Sequence, residues 1–318
     1  MIELTSYDPR FDEELTAFDV QMAAEIRFHG DVMPESVCIA LADGQVAGVA
    51  YIIRHATFLH LRKNLEYYYL HGVCKALPGH PEEVEISDAL LEDLKETYRR
   101  TQAEHPGKRI ALRMWCGAEK TDYAEYLMAH GFKMSRIMPV MVRKLNGGTE
   151  NEKPADGQSD LTGTDELRKH FPLPDGYEIR EMQLTDDFTA EYRKVNGAAF
   201  SLPDSMEELR FYTAGGARIF AVTRGESLAA ALTTWRVSDT RAATENIFCR
   251  PSLKRKGLTS ALIIHVLNLL KEEGYEEALL SLFGENQPAF QLYEKLGYEV
   301  KGFILEALYE ADRSFRPY

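Results

Sequence analysis

The side chains of this 318-residue chain whose types and spacing can do chemistry are concentrated between residues 244 and 298. Residues 244–249 read as a strand, and a basic turn follows, Lys254, Arg255, Lys256 and Gly257, before Leu258 opens a long amphipathic helical pattern. A helix start leaves main-chain N–H groups without partners and carries roughly half a positive charge. Glycine lets an anion approach the main chain, and three cations raise the local potential, so the turn suits a diphosphate. It is not a Walker loop, because no G-x-x-x-x-G-K-[ST] occurs and no G-x-G-x-x-G follows a strand. Glu245 lies in the strand, where burial beside Ile247 would raise its pKa toward that of a general base; a solvated strand residue is the plainer reading. Strand alternation predicts Glu245, Ile247 and Cys249 on one face, with Asn246 and Phe248 on the other. Further on, Tyr293 offers a phenol that can donate a proton or simply pack, and Asn286 can cap the helix bearing it or bond a ligand.

The same residues resemble the acyl-CoA-binding core of the GNAT superfamily of N-acetyltransferases. In that family a strand ending in V-x-P precedes [QR]-x-x-G-x-[GA], and N-x-x-A-x-x-L-Y-x-x-L-G-[FY] follows. Here the first part reads Cys249-Arg250-Pro251, then Lys254-Arg255-Lys256-Gly257-Leu258-Thr259. The second is matched by Asn286, Ala289, Leu292, Tyr293, Leu296, Gly297 and Tyr298. Lys254 stands where Gln or Arg is usual, keeping the charge but not the planar fork, and Thr259 stands where Gly or Ala is usual. The resemblance implies acetyl-CoA as acyl donor and a primary amine of a small molecule or peptide as acceptor. It implies that the main chain of Ile247, Phe248 and Cys249 meets the pantetheine arm. The turn through Thr259, with Asn286 and Phe290, would complete the donor site. Tyr293 would be the general acid toward the departing sulfur, and Glu245 the base.

Composition narrows the alternatives. A formal net charge of −13 argues against nucleic acid as the main partner and suits an amine-bearing acceptor, although acidity also serves solubility. Four isolated cysteines, Cys38, Cys74, Cys116 and Cys249, form no C-x-x-C or His/Cys cluster, so no metal is expected and buried, reduced thiols are. The charged N-terminal stretch is unlike a signal peptide, and the most apolar run, 261–270, is too short to span a bilayer. A cytoplasmic monomer or homodimer is the expectation.

The elements that must position these residues recur twice. Each half reads strand, helix, hairpin, strand, helix, strand, helix, strand, an internal duplication. The expected fold is α/β with mixed sheets: two tandem GNAT-like domains, each a mostly antiparallel sheet flanked by helices, similar to the mycothiol synthase type. Residues 1–146 would form a degenerate first domain, 147–176 a linker rich in Gly, Pro and acidic residues, and 177–318 the acyl-CoA-binding domain. In the first half Gly79-His80-Pro81-Glu82-Glu83-Val84-Glu85 replaces the basic turn, and Lys120 and Leu127 replace the asparagine and tyrosine, so no acyl-CoA is expected there. Two other readings remain, a non-catalytic CoA-binding module and an aminoacyl transferase using charged tRNA.

Overall fold

The computed structural model describes residues 2–61, 63–146 and 164–311; the predicted linker over 147–163 and the tail beyond 311 lie outside them. The first half runs β1 (Ile2–Ser6), α1 (Asp12–Phe18), α2 (Val20–Phe28), β2 (Cys38–Ala42), β3 (Gln45–Arg54), α3 (Ala56–Leu59), β4 (Tyr68–Ala76), α4 (Glu83–Glu104), β5 (Ile110–Gly117), α5 (Thr121–Ala129) and β6 (Lys133–Lys144). The second runs α6 (Thr164–His170), β7 (Glu178–Met182), α7 (Asp186–Phe200), α8 (Met206–Ala214), β8 (Arg218–Arg224), β9 (Ser227–Arg236), β10 (Arg241–Cys249), α9 (Leu258–Glu272), β11 (Glu277–Ser281), α10 (Gln287–Lys295) and β12 (Glu299–Tyr309).

Local chemistry accounts for the element ends. The β2–β3 hairpin turns on Asp43 and Gly44, both at positive φ (51° and 80°), the backbone a two-residue primed turn needs. A single helix from Pro9 toward Phe28 is what the periodicity predicts, but Asp19 interrupts it. Asp19 is extended and its carboxylate accepts from the amides of Gln21 and Met22, starting α2 afresh while Lys75 Nζ sits 2.7 Å from its other oxygen. Part of the predicted linker is built into the fold, since Leu167 of α6 is fully buried in the cluster beneath α9.

The architecture is mixed α/β, as expected, but the two sheets are one. Twelve strands run in the order β1-β2-β3-β4-β5-β12-β6-β11-β10-β9-β8-β7, parallel only at β4–β5 and β10–β11. The halves exchange their last strands: β12 pairs with β5, and β6 with β11. A cut at 146 therefore divides the sequence but not the hydrogen-bonded sheet. Four apolar clusters cover it, with α1 and α2 against one face of the first half and α4 and α5 against the other. In the second half α7 and α8 share the face of α1 and α2, and α6, α9 and α10 share that of α4 and α5. Nine side chains of α9, from Leu258 to Leu270, are buried, each aliphatic one stabilising by about 1.5–3 kcal/mol. That anchorage fixes where the N-terminus of α9 points.

Candidate active site

The site begins where two parallel strands part. β10 pairs with β11 only from Arg241↔Glu277 to Ala243↔Leu279. Beyond that β10 stays with β9 through a bulge, because Glu245 faces Thr233 while Phe248 faces Ala231, three residues against two. Asn246 takes the extra residue at φ 49°, a left-handed backbone that Asn tolerates better than most side chains. Asn246 and Ile247 thus have no register partner in either neighbouring strand, and their main chain borders the opening.

The bulge corrects the face assignment from simple alternation. Glu245 and Phe248 lie on the face of α7 and α8, where Phe248 packs edge-on against Tyr192, ring centroids 5.1 Å apart. Cys249 lies on the opposite face with Ile247, under α9. One inserted residue reverses the relation that period two predicts.

At the end of β10 the chain reaches the basic turn. Arg250 is tied down, its guanidinium donating to the Leu228 carbonyl and to Glu191. Lys254, Arg255 and Lys256 are exposed and form no ion pair with a described residue. Arg255 and Gly257 both have positive φ (63° and 79°), which turns the chain sharply into α9. Gly257 is the N-cap; no side chain caps the helix, and a Cβ placed on Gly257 would meet nothing within 4 Å. The first-turn amides of α9 are thereby left without a protein cap beside three free cations, an arrangement that fits a diphosphate. Leu258 is buried and offers only its main chain. Burial raises the Cys249 pKa, and Thr259, Lys254 and Arg250 beside it act to lower it.

The third piece is α10. Asn286 is its N-cap, accepting from the Ala289 amide at 3.4 Å, so the capping role is made while the side chain stays exposed. At the other end Arg143 of β6 donates to the Leu296 carbonyl, so the first half holds the last turn of α10. Phe290 is half-buried against the cluster that contains Tyr293. Tyr293 is only 7% exposed, but its hydroxyl makes no hydrogen bond with a described residue and is not sealed from solvent. Its pKa is raised by burial, then by Tyr298 and Glu245, so it remains a protonated donor at neutral pH.

Glu245 reaches across the gap, accepting from the amide of Ser281 at 2.7 Å and from its hydroxyl at 2.9 Å. Burial nevertheless pushes its pKa up to about 7, against the lowering effect of Ser281. Sequence reasoning missed Ser281, Asn246 and Arg143; each acts through a pairing that no local pattern announces. Glu207, Glu208, Phe211 and Tyr212 lie on α8. It docks on the first half through Ser205, whose hydroxyl donates to Asp31, and Phe211, against the His29 ring at 4.9 Å. Trp235 stacks on Tyr212, 5.6 Å between centroids and 5° from parallel. The four cysteines are free thiols, three of them buried. Among the described residues no group of side chains is arranged to hold a metal ion, and no helix is long and apolar enough to cross a membrane.

Comparison with known proteins bears on the fold. The Acetyltransferase (GNAT) family model matches residues 181–298. Among solved structures, a tandem GNAT protein from the clavulanic acid biosynthesis pathway is similar at TM-score 0.66 and 14% identity, covering 99% of this chain and 100% of that one. A GCN5-related N-acetyltransferase from Sphaerobacter thermophilus is similar at TM-score 0.59 and 16% identity, covering 96% and 95%. A GCN5-related N-acetyltransferase from Kribbella flavida follows at 0.53 and 15%, covering 85% and 90%. No curated protein sequence matches the chain. Residues 181–298 are a GNAT acetyltransferase domain, and the chain as a whole has the tandem GNAT architecture.

Proposed function

We propose that the protein transfers an acetyl group from acetyl-CoA to a primary amine, with the second half, 177–318, doing the chemistry. In this reading residues 1–146 wall the acceptor side and 147–176 connect the two. The observation that carries it is the uncapped, cation-flanked start of α9 beside the parting of β10 and β11. Lys254, Arg255, Lys256, Gly257, Leu258 and Thr259 would hold the diphosphate, and the main chain of Ile247, Phe248 and Cys249 the arm that follows. Asn286 and Phe290 would border the donor from α10. Bound there, acetyl-CoA supplies the activated carbonyl.

The chain's own groups then move protons. Glu245, with a pKa of about 7, accepts a proton from the attacking amine, directly or through water. Tyr293 donates its phenolic proton to the departing sulfur. Alignment of amine and donor in the cleft adds the entropic advantage of a bound pair. Titration calorimetry with acetyl-CoA, followed by a thiol-release assay across amine acceptors, tests the proposal. One acetyl-CoA per chain and amine-dependent thiol release are expected; binding without release for any amine would leave only a binding module.

A further inference from the structure

Resting on the acyltransferase reading above, we infer that Thr244 and Tyr298 are positioning residues for the acid: a buried chain of two hydroxyls ties Tyr293 to the point where β10 and β11 part. The last parallel pair of those strands is Ala243↔Leu279. On the next residue the Thr244 hydroxyl reaches the Leu279 carbonyl at 3.3 Å, and the Tyr298 hydroxyl lies 2.9 Å from the same oxygen of Thr244. A carbonyl only accepts, so the single Thr244 proton goes to Leu279 and the phenol of Tyr298 must donate to Thr244. The chain therefore has one direction, from Tyr298 through Thr244 to the main chain of β11.

Tyr298 carries this tie into α10 by two further contacts. Its amide donates to the Tyr293 carbonyl at 3.0 Å, closing the end of the helix, and its ring packs on that of Tyr293 with centroids 5.9 Å apart. Hydroxyl, amide and ring together fix the last turn of α10 against the parted strands, and with it the direction in which the Tyr293 side chain leaves the helix. The two tyrosines divide the work. Tyr298 is buried with its proton committed to Thr244, whereas the Tyr293 hydroxyl makes no hydrogen bond with a described residue and stays reachable.

The fold alone does not call for these hydroxyls, because the first half builds the same elements without them. Counted from the last parallel pair of each half, His71↔Arg113 and Ala243↔Leu279, Gly72 takes the place of Thr244. Counted from the glycines at positive φ after the following helices, Gly131 and Gly297, Phe132 takes the place of Tyr298 and Leu127 that of Tyr293. Phe132 and Leu127 are buried in the first core, and β4 and β5 still part after His71↔Arg113. The acid and both of its supports are thus absent together from one copy. Burying a hydroxyl is unfavourable unless it is bonded, so a pair of them kept where a glycine and a phenylalanine suffice serves more than packing. Aiming Tyr293 is a need that the second half has and the first lacks.

Thiol release from acetyl-CoA, with spermidine, glucosamine, free lysine and an alanyl peptide as amines, tests this alongside acetyl-CoA calorimetry. Tyr298→Phe should lower kcat with the best amine by about tenfold, the scale of a misplaced catalytic group, while acetyl-CoA affinity stays within about twofold. Thr244→Val should act alike, and Thr244→Ser, which keeps the hydroxyl, should return kcat to within about twofold of the wild type. The sharpest arm is the Tyr293→Phe background. There Tyr298→Phe should cost less than about twofold more, because no hydroxyl is left to aim. Wild-type kcat in Tyr298→Phe, or a full further loss in the Tyr293→Phe background, would overturn the inference and leave the acyltransferase reading in place. Wild-type protein that binds acetyl-CoA yet releases no thiol with any of the four amines would overturn both.

Discussion

The two halves place the same helix after the same parted strands, and they finish its N-terminus in opposite ways. At α9 the cap is Gly257, no atom of the described residues lies within 4 Å of where its Cβ would be, and three exposed cations flank it. At α4 no side chain caps the helix either, but the turn before it is tied to itself and carries no cations: Glu83 accepts from the Gly79 amide at 2.7 Å and His80 from the Glu82 amide at 3.1 Å. Glu83 and Glu85 add negative charge in the first turn. The strands differ as well. β9 and β10 carry the bulge, whereas β3 and β4 pair without a shift, and a Cβ on Gly72 would meet Leu112 at 3.0 Å in the filled interior. Leu127 is fully buried where Tyr293 keeps a reachable hydroxyl. A shared sheet needs only apolar alternation and turns; competence for an anion rests on a few local features that one copy has and the other lacks.

The strongest way to break this comparison is to make α9 resemble α4. Gly257→Glu puts a carboxylate at the uncapped N-terminus and forces a side chain into left-handed backbone, at about 1–2 kcal/mol. Acetyl-CoA affinity should fall at least a hundredfold by calorimetry. The converse change, Glu83→Ala, frees the Gly79 amide but supplies no cations, so stoichiometry should stay at one per chain. Two acetyl-CoA molecules per chain in that variant would show that the first copy was merely plugged.

The next largest effect belongs to the base. Glu245→Gln should lower kcat/KM by a hundredfold or more, on the usual size of general base catalysis. Because burial raises the Glu245 pKa to about 7, the base form appears as pH rises, and the wild-type profile should climb through pH 7 to a plateau. The stability sign is opposite. A carboxyl with a folded pKa above its ordinary 4.5 favours the folded state at low pH, and that contribution is lost as pH rises from about 4.5 to 7. Melting curves of Glu245→Gln should be flatter over that window, and a pH limb persisting in the variant would assign the base elsewhere.

Tyr293→Phe comes third, with turnover expected to fall tenfold or more and acetyl-CoA affinity nearly constant. Its hydroxyl makes no hydrogen bond with a described residue, so stability should change little, which separates a chemical role from a packing one. Unchanged turnover would take Tyr293 out of the mechanism.

Much of this was legible in the sequence because its signals are local. The hairpin at Asp43-Gly44, the Asn286 cap and the glycine before Leu258 each declare themselves within a few residues. What stayed hidden depends on distant partners. The exchange of β6 and β12 follows from edges that either strand could satisfy, and alternation alone cannot choose between them. The bulge at Asn246 inserts one residue without any glycine or proline to mark it, and so the face of Glu245 was misread. The carboxylates that act on Tyr212, Glu208, Glu25 and Glu245, come from α8, α2 and β10, elements far apart in sequence.

The smallest expected effect sharpens the comparison most closely. Two residues past the last parallel pair, the second half has Glu245 and Ser281 and the first half has Val73 and Trp115. Ser281 is what keeps the Glu245 carboxylate ionisable near neutrality, through its amide and its hydroxyl. Ser281→Ala removes the second bond and leaves the first, which should raise the Glu245 pKa by about one unit, the value of a hydrogen bond to a charged group. At pH 7 the rate should then fall about fivefold, while at pH 9 it should return to that of the wild type. A structural fault would depress both equally, and a profile that does not move would mean that a group other than Glu245 sets the pH dependence.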